Sequence, residues 1–195
     1  MEYIDDHIID KEALKPKEWI LDAGCRGFSL KAFLGDKFRY LCLDPDNTIK
    51  PVKGVKFEQI ALTVYDGEVG YCGWSTGEGN YCYKDKAVWY AETDYKVQCK
   101  SIRTLMSEYK INQFGLAKID IEGGEYDLLL SIDFPFAKQI AVEFHDAQGY
   151  NKYGTHKEYI KLLMDSKFGE LYSIAEWYEN KTCPDMYEYS FKLKC

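Results

Sequence analysis

No stretch of this chain holds the ~20 uninterrupted apolar residues that a membrane-spanning helix requires. The first ten residues, MEYIDDHIID, are acidic rather than signal-like. Both features argue against a membrane or a secreted protein. No run of Lys or Arg occurs either, and 25 basic against 32 acidic side chains leave a net charge of −7. Neutralising phosphates takes clustered positive charge, so bulk nucleic acid is a poor partner. Among the 7 cysteines (Cys25, Cys42, Cys72, Cys82, Cys99, Cys183 and Cys195) there is no C-x-x-C pair for zinc or dithiol redox work. Scattered thiols suit a reducing cytoplasm, the expected location. Internal repeats and low-complexity tracts are absent.

What remains is an ordinary globular composition, 46% hydrophobic and 29% charged over 195 residues. That length suits one domain burying roughly 70% of its unfolded surface, with no need of covalent staples. The aromatic content is high, 16% with 17 Tyr. Residues 1–17 are polar and read as a short helix or arm, leaving 18–195 as the domain. Trp19-Ile20-Leu21 is a short apolar run ending in Asp22-Ala23-Gly24, a buried strand entering a turn. Helical spacing follows from Phe28 to Phe33, then strand-like runs at 38–43 and 55–60. Strand, helix and strand at this spacing predict a βαβ unit in an α/β fold with a parallel sheet.

Between 62 and 100 the pattern changes to a β insertion. Thr63-Val64-Tyr65, Asp66-Gly67 and Glu68-Val69-Gly70-Tyr71 predict a hairpin, because Asp-Gly supplies the positive φ of a tight turn. The αβ rhythm then resumes: a helix near 102–110, strands at 116–121 and 139–144, and a helix from 124 to 130. Thr155 and Glu158 make a capping box ahead of another helix. Two closing strands at 171–177 and 186–193 form an antiparallel pair.

Three chemical features fall at the ends of strands, where open α/β sheets bind ligands. The first is Asp22-Ala23-Gly24-Cys25-Arg26-Gly27, whose glycines allow a sharp turn and a close backbone approach. The second is Asp44, about 20 residues after Gly24, placed to accept hydrogen bonds from ribose hydroxyls. The third is Asp120, followed by Ile121-Glu122-Gly123-Gly124-Glu125. Each has a plainer structural reading: a turn, a turn starter, or an acid at a helix N-terminus. A carboxylate closing a buried strand nevertheless needs a partner to offset its desolvation.

The segment Leu116-Ala117-Lys118-Ile119-Asp120-Ile121-Glu122-Gly123-Gly124-Glu125-Tyr126-Asp127-Leu128-Leu129 closely resembles the "lKiDvEGaE…L" hallmark of FkbM-type methyltransferases. Supporting pieces stand in the family's order: Asp22-Ala23-Gly24, Leu43-Asp44-Pro45, Ala61-Leu62 with Asp66-Gly67-Glu68, Thr104-Leu105, and Glu143-Phe144-His145. The resemblance covers about residues 19–146. It implies a Rossmann-like class I methyltransferase fold, with a mostly parallel seven-stranded sheet, helices on both faces, and S-adenosylmethionine as methyl donor. Asp22 and Gly24 would then border the methionine end of the donor, Asp44 the ribose and Ala61 the adenine, while Asp120 faces the methyl group. The first loop is one residue short of the family pattern, so Arg26 and Gly27 receive no role. Arg26 suits either the donor's carboxylate or a surface acid.

An alcohol acceptor requires a base or a metal, because its own pKa lies far above 7. Asp120, Glu143 and His145 stand at the tips of neighbouring strands, and Glu143 and His145 share a strand face. They fit a general-base cluster, or a Mg²⁺ site with Asp120 and Glu143 as ligands. His145 also fits a buried structural histidine, the reading favoured for His7 and His156. Tyr71, Trp74, Tyr81, Tyr83, Trp89, Tyr90 and Tyr95 form an aromatic lid over a sugar-like acceptor or simply pack the insertion.

The leading expectation is therefore O-methylation of a small or carbohydrate-like acceptor. A nicotinamide-dependent oxidoreductase is the second reading, weakened by the lack of a full G-x-G-x-x-G. A non-catalytic cofactor-binding module is the third. A homo-oligomer stays open.

Overall fold

The computed structural model describes residues 1–4, 7–72, 81–83, 94–122, 124–145, 154–179 and 186–194. The chain opens with β1 (Glu2–Ile4) and β2 (His7–Ile9), which pair antiparallel. Then follow β3 (Trp19–Ala23), α1 (Ser29–Leu34), β4 (Arg39–Leu43) and β5 (Val55–Glu58). The insertion contributes β6 (Ala61–Thr63), β7 (Gly67–Cys72), β8 (Tyr81–Tyr83) and β9 (Asp94–Ser101). After it come α2 (Ile102–Glu108), β10 (Phe114–Ile119), α3 (Glu125–Leu130) and β11 (Ala137–His145). The chain closes with α4 (His156–Met164), α5 (Lys167–Leu171), β12 (Tyr172–Glu179) and β13 (Met186–Leu193).

Seven strands form the central sheet in the order β12-β13-β11-β10-β3-β4-β5. Neighbouring pairs from β11 to β5 are parallel, and β13 runs antiparallel to both β11 and β12. The apolar runs supply both faces by period-two alternation. Leu21, Leu41 and Ala117 join the larger core with α2 and α3 residues such as Leu105 and Leu128. Ile20, Tyr40, Cys42 and Leu116 face the other way, onto Leu30 and Leu34 of α1. The chain builds β3 to β5 outward in one direction and returns through β10 to build the other half. The strand order thus reverses between β3 and β10, and a crevice opens at their carboxyl ends.

Register fixes what sits in that crevice. Ala23 pairs with Leu43 and Ile119 pairs with Ala23, so Gly24, Asp44 and Asp120 each stand one residue past flush strand ends. Val142 pairs with Ile119, which sets Glu143 level with Asp120.

Two local expectations change. The N-terminal segment is a β-hairpin rather than a helix or a loose arm, because Ile4 and Ile9 bury completely against the α1 face of the sheet. The hairpin expected at Asp66-Gly67 does not join its flanking strands, since β9 lies between them, parallel to β6 and antiparallel to β7. Asp66 instead accepts hydrogen bonds from the Ser101 amide (2.7 Å) and the Thr104 hydroxyl (2.6 Å), tying the turn to the start of α2. The capping box of α4 forms as the sequence indicates, with Thr155 and Glu158 bonding reciprocally. No helix of the described residues is long and apolar enough to cross a membrane.

Candidate functional site

The crevice is an open cleft of about 680 Å³, a figure that includes solvent space at its mouth. Gly24 and Arg26 from the first loop, Asp44 and Asp46 past β4, and Asp120 and Glu122 past β10 supply its polar wall. Ile60, Ala61, Leu62 and Tyr71 supply an apolar wall where the insertion meets the sheet.

Gly24 sits at φ +77, and a Cβ there would lie 1.7 Å from the Asp120 carbonyl oxygen. Only glycine lets the two loops cross so closely. The Gly24 amide donates to the Leu43 carbonyl (2.9 Å) and the Asp120 amide to Ala23 (3.1 Å), stitching three strand ends together. Beneath this crossing lies Lys118, 4% exposed. Its ammonium donates to the Gly24 carbonyl (2.8 Å) and to Asp120 Oδ2 (2.9 Å), and stands 3.9 Å from Asp22 Oδ1. Lys118 is the partner that a half-buried Asp120 needs. Burial by itself would raise the Asp120 carboxyl, but Lys118, His7 and His145 outweigh it and hold the group below the ordinary range.

On the β4 side, Asp44 is 7% exposed and accepts one hydrogen bond from the Asp46 amide (3.0 Å). Burial pushes its carboxyl up to about 6. Past β10, Glu125 is fully buried, accepts from the Ile121 amide (2.9 Å), and lies 3.3 Å from His145 Nδ1. His145 Nε2 is then 3.5 Å from Glu122, 3.8 Å from Glu143 and 3.9 Å from Asp120. Burial would lower this histidine, yet Glu125, Glu122 and Asp120 raise it to about 10, so it stands as a cation among acids. Glu122 holds a left-handed backbone at φ +57, costly for a non-glycine residue. Burial pushes its carboxyl up to about 7.

Of the residues singled out from sequence, Gly24, Asp44, Ala61 and Asp120 line the cleft. Asp22 lies below it, 2% exposed. Glu143 and His145 stand behind the β10 loop rather than on the wall. The expected Mg²⁺ pair of Asp120 and Glu143 does not form one ligand set. Among the described residues, Asp120 groups with Glu122 and His145, and Glu143 groups with His7 and Glu188, while the Lys118 ammonium already occupies one side of Asp120. Sequence reading passed over Glu122 and Lys118 as site residues. Their signal was present in the Lys-x-Asp-x-Glu spacing: Lys118 and Asp120 fall on one side of the strand end, and Glu122 follows in the turn. Of the aromatic lid, Tyr71 is on the apolar wall. The side chains of Trp74, Tyr81, Tyr83, Trp89, Tyr90 and Tyr95 lie outside the described residues.

The family model described as the methyltransferase FkbM domain matches residues 33–172. The chain belongs to the FkbM methyltransferase family. No curated protein matches it significantly. Among solved structures, this FkbM-domain protein is similar to a Clostridium thermocellum protein assigned as an rRNA methylase (TM-score 0.53, 10% identity, covering 95% of this chain and 91% of the other). It is also similar to the Methanococcus jannaschii fibrillarin pre-rRNA processing protein (TM-score 0.56, 9% identity, covering 96% and 70%). At such identities the likeness shows the fold, the class I methyltransferase arrangement, and nothing of the acceptor.

S-adenosylmethionine, the donor this family implies, fits the cleft. A buried carboxylate with spare acceptor capacity at Asp44 suits ribose hydroxyls. The wall of Ile60, Ala61 and Leu62 suits a flat base, and Arg26, also on the lining, suits a carboxylate.

Proposed function

We propose that this FkbM-domain protein methylates a hydroxyl of a small or carbohydrate-like acceptor, with Glu122 removing the acceptor's proton. The observation that carries the reading is the position of Glu122, on the cleft wall beside Asp120, with a carboxyl held near neutrality. A base is most effective when its pKa lies near the working pH. His145, raised to about 10, is protonated at neutral pH and serves instead to steady Asp120, Glu122 and Glu143. Bound in the cleft, S-adenosylmethionine supplies an electrophilic methyl group.

The other residues orient and hold. Asp44 accepts from the ribose hydroxyls, and Arg26 faces the donor's carboxylate. Lys118, buried between Asp22 and Asp120, keeps the Gly24 loop and the β10 loop at fixed distance. Positioning of this kind provides much of the acceleration available to a displacement reaction. Charge also disfavours an anionic acceptor, since the wall carries Asp44, Asp46, Asp120 and Glu122 against one Arg.

The test pairs calorimetric titration of S-adenosylmethionine with an acceptor screen led by sugars. RNA fragments belong in the screen, given what the two structural neighbours are described as. Glu122→Gln is expected to keep donor affinity within about threefold while turnover falls roughly 10²–10⁴-fold, the range of a lost general base. Unchanged turnover in that variant would reject Glu122 as the base. Failure of the folded protein to bind the donor would reject the methyl-transfer reading itself.

A further inference from the structure

Behind the cleft lies a second group of ionisable side chains that methyl transfer does not use. Glu143 on β11 and Glu188 on β13 are direct register partners across antiparallel strands, 8% and 1% exposed. Like charges placed directly opposite destabilise a sheet, and burial deepens the cost. The N-terminal hairpin packs over this face and presents His7, 2% exposed, with Nδ1 3.1 Å from Glu188 Oε2. One ligand atom from each of the three residues lies within 4.8 Å of the other two. The remaining oxygen, Glu188 Oε1, is buried and accepts no hydrogen bond among the described residues. Lys118, the nearby ammonium, is committed to Gly24 and Asp120. Glu143 and Glu188 lie within side-chain hydrogen-bond reach of each other, and two buried carboxyl groups so placed are joined either by a proton or by a cation.

We propose that His7, Glu143 and Glu188 form a buried site for one divalent transition-metal ion of the zinc type. Two carboxylates balance the ion's charge. An imidazole nitrogen with carboxylate oxygens is a donor set for borderline ions, whereas Mg²⁺ and Ca²⁺ favour oxygen alone. Bonds of about 2.0–2.2 Å place ligand atoms around one ion at most about 4 Å apart, so small side-chain rotations close the set. Three protein ligands leave a fourth position for water. The three ligands come from β2, β11 and β13, so the ion fastens the hairpin to the sheet behind the β10 loop. The ligand set shares no residue with the Asp120, Glu122 and His145 group, although Glu143 lies 3.8 Å from His145 Nε2, and it does not depend on the methyl donor.

The experiment uses the full chain, unfolded in guanidinium with a chelator and refolded with Zn²⁺, Co²⁺, Mg²⁺ or no metal, because burial slows exchange in the native state. One equivalent of Zn²⁺ should be retained after desalting and should raise the melting temperature, while Mg²⁺ does neither. The Co²⁺ form should lack thiolate charge-transfer absorption, which excludes the cysteines as ligands. Glu188→Gln and His7→Ala should each weaken Zn²⁺ binding by more than about 100-fold, beyond the loss usual for outer-shell changes. Glu122→Gln should bind as the unaltered protein does. Wild-type protein that retains no Zn²⁺, or binding that survives both ligand substitutions, would overturn the site. A metal-free wild type that Glu188→Gln stabilises would assign a shared proton in its place. These readouts are independent of methyl transfer, so either reading can fail without the other.

Discussion

Asp44 shows how a single residue can couple the cleft to pH. Its carboxyl is raised from the ordinary 3.8 to about 6, chiefly by burial. Ribose hydroxyls need the ionised form as acceptor, so donor affinity should fall as pH drops through about 6. Stability moves the opposite way. The folded carboxyl takes up its proton near pH 6 and the unfolded one only near 3.8, so this group's burial penalty is relieved as pH falls across that window. Calorimetry at pH 5 and pH 7.5 checks the first statement, and Asp44→Asn should flatten the difference. Asp44→Ala should weaken binding by about 1–3 kcal/mol, the loss expected for hydrogen bonds to a charged group. Gly24 makes a different demand. Gly24→Ala combines a positive φ with a Cβ 1.7 Å from the Asp120 carbonyl oxygen. The variant should lose more than the ~1–2 kcal/mol that a left-handed conformation costs, read from the denaturant midpoint, together with donor binding. An unchanged midpoint would mean that the two loops can separate freely.

At the scale of elements, the N-terminal hairpin belongs to the domain core rather than preceding it. Ile9 is fully buried in the cluster that joins α1 to the sheet. Ile9→Ala should therefore cost about 2–5 kcal/mol, as large-to-small changes in a packed core do, measurable by urea denaturation. A cost near zero would show the hairpin detached in solution. Elements with strong local signals were legible beforehand. The apolar runs of β3, β4 and β10, the Thr155 cap, and the strands β12 and β13 all carry their own pattern. Elements defined by a distant partner were not. Nothing in Thr63-to-Tyr71 says that β9, some 30 residues on, will insert between β6 and β7. Likewise His-Ile-Ile at 7–9 reads as polar-flanked arm until the sheet that covers it is known.

For the whole molecule, one cleft collects its walls from the ends of β3, β4 and β10 and from the insertion, so ligand binding should stabilise the entire fold. At a donor or product concentration 100-fold above Kd, linkage adds about 2.7 kcal/mol. For a chain of this size that is roughly 5–10 °C in melting temperature. Differential scanning fluorimetry with S-adenosylhomocysteine reads it directly, and no shift under saturating product would contradict a cleft built as described. The sequence by itself determined the fold class, the βαβ rhythm, and the three strand-end motifs at Gly24, Asp44 and Asp120, because period-two apolar patterning and turn chemistry act over a few residues. Tertiary structure alone decided which acids face which. The flush register of β3, β4 and β10 lines up the cleft. Lys118 beneath Asp120 keeps that acid low while burial raises Glu122 toward neutrality, and the pairing of β11 with β13 sets Glu143 against Glu188 under His7. Such electrostatic neighbourhoods depend on separations of 3–4 Å between residues up to 181 positions apart, and spacing along the chain does not encode them.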